Sequence, residues 1–503
     1  MSIELTGNPK RADRPKAADE KRTRQTSQSW TPLQKIAFRI GFVYFVALCI
    51  PAYGNFYRDL VKLFDFAKLT YHDFQAIVAF WPPQFILIES EEGVFGIYNY
   101  INLILLLVLA IVIGLLWTFL DKKSTQYSKL YYWARVLVRY RLAYGMIGWG
   151  LKKAFPMQMV YPTVGMLNTP FVDMAEKKLY WSHVGVSFGY TIFLGFAEIL
   201  PGLLLLHRKT ASLGGALAAV VCLNICIANH AYDAGVAVPA AYFTLLGLFV
   251  AWYDLPKIGE LLAGGKDVAP YRYNPILTGA QNKLRWTLKV FFNLIFVPVA
   301  AAFWAYGFFN GNNYNIPSTP GLPGIQGVYQ VSEFKWNGKT LPYSPTDSIR
   351  WHDAIFESWS SLSYRTNRAA LIDRMIGYSP LRVKGDRGES RYNQVNTQDS
   401  DELFKSSQNR DLGVTRWEVG GMAGYRRYFF YELDTANQIL QLQNKNRDHR
   451  QETQRLHISR PTAERVVLQG LNEFRDSIYV VLDRVDKKYP LVAGRESAIT
   501  QFP

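Results

Sequence analysis

The stretch "YINLILLLVLAIVIGLLWTFL", Tyr100 to Leu120, contains no charged side chain. About 20 predominantly apolar residues suffice for a helix to cross a bilayer. Runs of this kind recur along the first part of the chain. Seven candidate spans can be drawn: Ile36 to Tyr53, Tyr100 to Leu120, Val136 to Leu151, Val184 to Leu206, Ala211 to Asn229, Val236 to Tyr253 and Trp286 to Phe309. The third is short and is entered through Arg139 and Arg141. All seven lie before about Gly311, and the chain beyond is polar and charged. The expected fold is therefore a mainly α polytopic membrane protein of about seven transmembrane helices, followed by one soluble domain.

The formal net charge of +16 first suggests nucleic acid. Its distribution argues for a bilayer instead. Basic residues collect in the N-terminal tail, in "DKKSTQYSK", in "HRK" at His207–Lys209 and around "GGKDVAPYRY". An odd number of spans puts all four clusters on one side, the cytoplasm by the positive-inside rule. The segments 54–99, 152–183, 230–235 and everything after about 311 then face outward, with Lys152, Lys153, Lys177 and Lys178 breaking the rule. This implies a multi-pass protein of the bacterial inner membrane, N-terminus inside and C-terminal domain on the periplasmic side. Residues 1–32 read as a disordered basic tail. Of three cysteines, Cys49, Cys222 and Cys226, none lies in the soluble part, so no disulfide framework holds it.

After the linker "GNNYNIPSTPGLPGIQG" the pattern changes. "RLHIS" and "SIYVVLD" alternate apolar with polar or half-buried positions, the period of a strand covered on one face. Strands are expected near 438–443, 455–459, 464–469 and 477–485, with "GVYQVSEFKWNG" closing a first strand on a turn. Short connections imply an antiparallel meander over 327–495, either a β sandwich or a closed barrel. The Gly-x-Tyr opening resembles the lipocalin-like calycins. "RWHDAIFESWSSLSYR" supplies aromatics for a core. His352, His449 and His457 are scattered and form no catalytic set.

The third and fourth spans carry a further pattern. "RYRLAYGMIGWGLKKAFP" has an arginine at its entry, glycines through its middle and a Gly-x-x-Lys exit. "FAEILPGLLLLHRKTASLGGAL" has a glutamate, then Pro-Gly and a leucine run ending in a basic turn. Together they resemble the first two spans of the DoxX family, whose four-helix unit the fifth and sixth spans would complete over 133–254. Two additional helices and an outer loop (33–132) would precede that unit. A cytoplasmic loop with the last helix (255–311) and the linker 312–326 would follow it. The loop from Ala154 to His183 has no counterpart in a minimal unit. The resemblance implies redox work near the quinone pool, with a diffusible quinone the only cofactor.

Glu198 is the residue that most needs an explanation, because a charge at the bilayer centre costs roughly 2.5 kcal/mol or more. Arg141 and Lys152 are eleven residues apart and return to within about 20° of one helix face, which Tyr144, Gly145 and Gly148 share. An ion pair of Glu198 with Arg141 or Lys152 would explain its tolerance. These three are the candidate catalytic residues, for proton or quinone handling; the alternative is a purely structural pair, or a protonated Glu198 hydrogen-bonded inside the bundle. His230 and Asp233, at the outer mouth, would join Lys153, His183 and Tyr144 as a ligand-binding set. Cys222, Cys226, His230 and Asp233 lie on one helical stripe about 16 Å long, too extended to share one ion, so no metal is expected.

Two functions compete at this stage. One is a DoxX-like subunit of a membrane oxidoreductase system, passing electrons or protons between quinone and an outer-side protein partner. The other is a non-catalytic envelope protein whose β domain binds a lipid, glycan or protein partner. Nucleic acid is expected in neither.

Overall fold

The computed structural model describes residues 29–489 except 53, 66–68, 79, 81, 84, 87–95, 266–272, 274, 312, 314, 369–416, 423–424 and 447–448. The expected disorder of the N-terminal tail falls outside the described residues up to position 28. Thr31 begins the first helix with a capping box closed by Gln34.

Helices α1 (Pro32–Leu48), α2 (Gly54–Lys62), α3 (Tyr71–Val78), α4 (Tyr100–Leu120) and α5 (Ser128–Ala154) come first. Then follow α6 (Val164–Leu167), α7 (Glu176–Gly185), α8 (Phe188–Leu206), α9 (Ala211–Ala231), α10 (Ala237–Trp252) and α11 (Leu255–Gly264). The last is α12 (Gly279–Val290), which runs through a π turn at Phe291–Phe296 into α13 (Val297–Phe309).

Among the described residues, four helices are long and apolar enough to cross a membrane: Ile97–Leu120, Phe188–Leu206, Ala211–Ala231 and Gly279–Phe309. A fifth is possible if α10 and α11, bent by 63°, form one span. The expected seven are thus not all met by length and composition. α1 stops at 17 residues. α5 carries Lys129, Arg135, Arg139 and Arg141 in its first half and Lys152 and Lys153 at its end. The segment expected to be an outer loop, 54–99, contributes α3, whose Tyr71 and Phe74 pack with Ile147, Leu151 and Trp304 in the helical core.

α5, α8, α9 and α10 pack against one another, drawn together where side chains are missing. A Cβ on Gly150 of α5 would lie 2.6 Å from Ile199 and 2.7 Å from the Gly195 carbonyl of α8. Gly215 of α9 and Gly247 of α10 abut in the same way, each carbonyl filling the space of the other's missing side chain. Such contacts let helix backbones approach closely.

The strands β1 (Gly327–Trp336), β2 (Lys339–Thr340), β3 (Asp353–Phe356), β4 (Ser361–Arg365), β5 (Arg426–Asp434), β6 (Ile439–Asn444), β7 (Thr453–Thr462), β8 (Arg465–Leu471) and β9 (Ser477–Val485) are all antiparallel. β1 pairs with both β3 and β9, which closes an eight-stranded barrel with β2 as an appendage. The sandwich alternative is thereby excluded. Asn337 and Gly338, at φ of 49° and 78°, make the tight turn into β2 that a hairpin favours. Tyr329 of the Gly-x-Tyr opening accepts a hydrogen bond at 3.0 Å from Arg484 on β9, which ties the first strand to the last. The interior is filled by Trp351, Tyr364 and Phe429, stacked at 3.7 and 5.4 Å, and by aliphatic side chains from every side. An eight-stranded barrel is just narrow enough for that.

The long segment between α5 and α8 is the seat of the barrel. Glu357, at the end of β3, accepts from the backbone N–H groups of Val164 (3.2 Å) and Gly165 (2.7 Å) at the start of α6. Arg426 donates to Thr169 at 3.2 Å and is paired with Asp353 at 2.8 Å. Lys178, fully buried, donates to the carbonyls of Trp417 and Glu418. Met159, Val160, Met166 and Val184 pack against Trp417, Val419, Met422 and Tyr428. Lys445 and Glu418 form a buried ion pair beneath this seam.

Burial raises the Glu357 carboxyl to about 7 from 4.5, the nearby Glu418 adds to this, and the bonds from Gly165, Val164 and Thr163 oppose it. The folded state therefore holds this proton more tightly than the unfolded chain. Its contribution to stability is full below about pH 4.5 and is lost as the pH rises through about 7. The loss should amount to about 3 kcal/mol. The thermal midpoint of the full-length protein should fall across that window, and Glu357→Gln should flatten the fall.

Candidate functional site

The carboxylate of Glu198 is buried in the bundle, and its partner is Lys153, with Nζ 2.9 Å from Oε1 and 3.0 Å from Oε2. The expected partners, Arg141 and Lys152, are both engaged elsewhere, for a reason of helix phase. One residue along a helix turns the side chain by about 100°. The face of α5 that meets α8 carries Gly150, whose missing side chain admits Gly195 and Ile199. Lys153 lies three residues further on, on that face, whereas Arg141, Gly145, Gly148 and Lys152 lie on another.

Arg141 donates to the Val78 carbonyl at 3.0 Å and to that of Phe80, so its guanidinium caps the C-terminal end of α3. It also lies 3.9 Å above the Phe80 ring. A cation at a helix C-terminus meets the free carbonyls and the negative end of the dipole. Gly145 faces Phe243 of α10, and Gly148 faces Val78 and Gln75 of α3. Lys152 is fully buried, with its ammonium 5.2 Å from the Trp149 ring. Tyr144 packs toward the last helix, 5.8 Å from Phe292 and 5.9 Å from Phe296.

The outer-mouth set is dispersed. His230 is exposed at the end of α9 and shares a 2.9 Å hydrogen bond with Tyr100. Tyr100 also approaches the Cys226 sulfur at 3.4 Å. Asp233, exposed at φ 49°, shapes the turn that follows α9. His183 is exposed on α7. Among the described residues, no group of three or more His, Cys, Asp or Glu is placed to hold a metal ion.

Two aromatic neighbours of the Glu198–Lys153 pair escaped sequence reasoning. Tyr180 of α7 stacks on Tyr232 at 5.1 Å. Burial raises its phenol, and Tyr190, Glu198 and Tyr232 raise it further. No motif marks these residues. The inward lysines Lys177 and Lys178, which break the positive-inside rule, were the available signal that the loop is covered. What results is a carboxylate–ammonium pair on the α5–α8 seam, with the Tyr180 phenol near enough to feel the Glu198 charge.

Removing one partner of a buried pair leaves the other charge unanswered, which costs about 3–5 kcal/mol. Glu198→Leu should lose that much stability by thermal unfolding in detergent. Replacing both Glu198 and Lys153 with leucine should recover most of it. A single variant as stable as the parent would refute the pairing.

No protein-family model matches the chain, and no solved structure matches it. The chain is similar to YwoB of Bacillus subtilis (strain 168), a protein described as uncharacterized, with 34% identity over 92 residues. The match covers 18% of this chain and 60% of YwoB, less than two thirds of that protein's length.

Proposed function

We propose that the chain is a DoxX-like integral membrane protein that serves as a subunit of an oxidoreductase system beside the quinone pool. The observation that carries this reading is the buried Lys153–Glu198 pair. A lipid-embedded bundle keeps such a pair at a cost, and intramembrane ionisable residues commonly mark proton paths. The pair would exchange a proton with a diffusible quinone, and the docked barrel would present its outer surface to a protein partner. In this reading α1 and α5 also cross the bilayer. α5 can do so because Arg135, Arg141 and Lys153 are met inside the bundle. The N-terminus then lies in the cytoplasm and the barrel in the periplasm of a bacterial inner membrane.

The filled barrel interior favours a second reading for that domain. In it the chain is a non-catalytic envelope protein, and a lipid, glycan or protein binds the barrel's exterior rather than a calyx.

Membranes carrying the protein should oxidise added quinol at a changed rate, and Lys153→Leu/Glu198→Leu should restore folding without restoring that effect. Purified protein that neither binds a quinone nor alters quinol turnover would reject the oxidoreductase reading. For topology, a phosphatase reporter fused after Gly311 should be active and one fused near Lys123 silent. The reverse pattern would move the barrel to the cytoplasm.

A further inference from the structure

A cavity of about 1540 Å³ lies between α5 and the last helix, away from Glu198. Its walls are mostly apolar and include Phe56, Leu63 and Phe74 from the segment before α4 and Leu288, Phe292 and Phe296 from the last helix, where Phe74 and Phe296 meet at 5.6 Å. α12 contributes no buried residue, so it stands off from α5 rather than packing on it. The π turn at Phe291–Phe296 falls within the cavity wall, and such turns occur often at functional sites.

The charges of the lining are one-sided. Lys129 and Arg139 of α5, Arg208 after α8, Lys257 of α11, and Arg285 and Lys289 of α12 line the cavity. Arg135 and Arg141 line it too but are hydrogen-bonded within the bundle, Arg141 among the phenylalanines over the Phe80 ring. No carboxylate lines it among the described residues. Apart from Arg141, these cations come from the end of the bundle remote from the barrel, while the phenylalanines continue toward the barrel. Arg139 is 9% exposed, and its buried Nε meets no hydrogen-bond partner among the described residues. The same holds for the Tyr144 hydroxyl deeper in the wall. The N-terminal tail is a poor occupant, because it carries more Lys and Arg than Asp and Glu.

We propose that this cavity binds an anionic membrane lipid, with its phosphate headgroup held by Arg139, Arg208, Arg285 and Lys289 and its acyl chains laid along the phenylalanine-lined wall. Cations alone would suit any anion, and apolar walls alone any hydrocarbon. Their arrangement at opposite ends of one cavity selects a molecule that is both. Basic pockets between membrane helices are a recurrent means of holding phosphate headgroups. Arginine adds forked hydrogen bonds to phosphate oxygens. The inference needs only a membrane-embedded bundle and is independent of the quinone reading.

The test uses full-length protein in phosphatidylcholine nanodiscs titrated with fluorescent phosphatidylglycerol. Saturable binding should appear, weaken in high salt, and resist competition by inorganic phosphate or by unlabelled phosphatidylcholine. Arg285→Gln combined with Lys289→Gln, both on the loosely packed α12, should weaken binding by about tenfold or more. Lys339→Gln on the barrel should leave it unchanged. Equal affinity for phosphatidylcholine would overturn the proposal, as would full displacement by inorganic phosphate. Displacement by an uncharged quinone of similar chain length at equal potency would also overturn it, because the cations would then contribute nothing. If the double variant binds like the parent while native mass spectrometry shows it folded, the headgroup site is wrong.

Discussion

A charge inside an apolar helix bundle must be met by another charge or by dipoles, and α5 threads five cations through that requirement. Arg135 is met by Ser212 at 2.7 Å and, through it, by Asp254. Arg141 is met by the carbonyl end of α3, and Lys153 by Glu198. Lys152 lies beside an indole ring. Arg139 faces the cavity. The answers to Arg135, Arg141 and Lys153 recruit three different neighbours, so the position of α5 sets the positions of α9, α3 and α8. Removing one partner therefore leaves a stranded charge as well as a lost contact. The glycine seams make this possible. Without them α8 could not come near enough for Glu198 to reach Lys153.

The same principle joins the two halves of the molecule. The segment between α5 and α8 brings the buried start of α6, where Glu357 of the barrel accepts from the N–H groups of Val164 and Gly165. Lys178 reverses the direction, reaching from the helical side to carbonyls at Trp417 and Glu418. Polar groups buried at the seam, surrounded by methionine and aromatic side chains, give it a single register that apolar packing alone would leave loose. The barrel thus sits directly above the end of the bundle where Lys153 and Glu198 meet.

The last helix obeys a different rule. It is long and apolar, and it is little buried by the rest of the chain, so hydrocarbon is its natural surround. Its stand-off from α5 leaves space that two rows of side chains shape, one cationic and one aromatic. Proton handling and lipid binding would therefore occupy opposite ends and opposite faces of α5.

Much of this was legible in the chain alone. Apolar runs fixed where helices form, since length and hydropathy are local properties. Ala211, for example, begins α9 as expected. Alternation located β7 and β9, and the short connections implied a meander. β3, β4 and β5 escaped because buried strands with both faces covered lose the alternation that marks them; β4, Ser361–Arg365, is almost entirely buried. The presence of a charged pair at Glu198 could also be foreseen, because a lone carboxylate there is too costly. Its partner could not. Arg141, Lys152 and Lys153 are equivalent as sequence, and only the rotation of α5 against α8, set by which glycine meets which backbone, put Lys153 on the shared face. Barrel closure, the seating of the barrel on residues 155–187 and the one-sided cavity were likewise decided by tertiary structure. Each depends on contacts between residues tens to hundreds of positions apart, which no local pattern encodes.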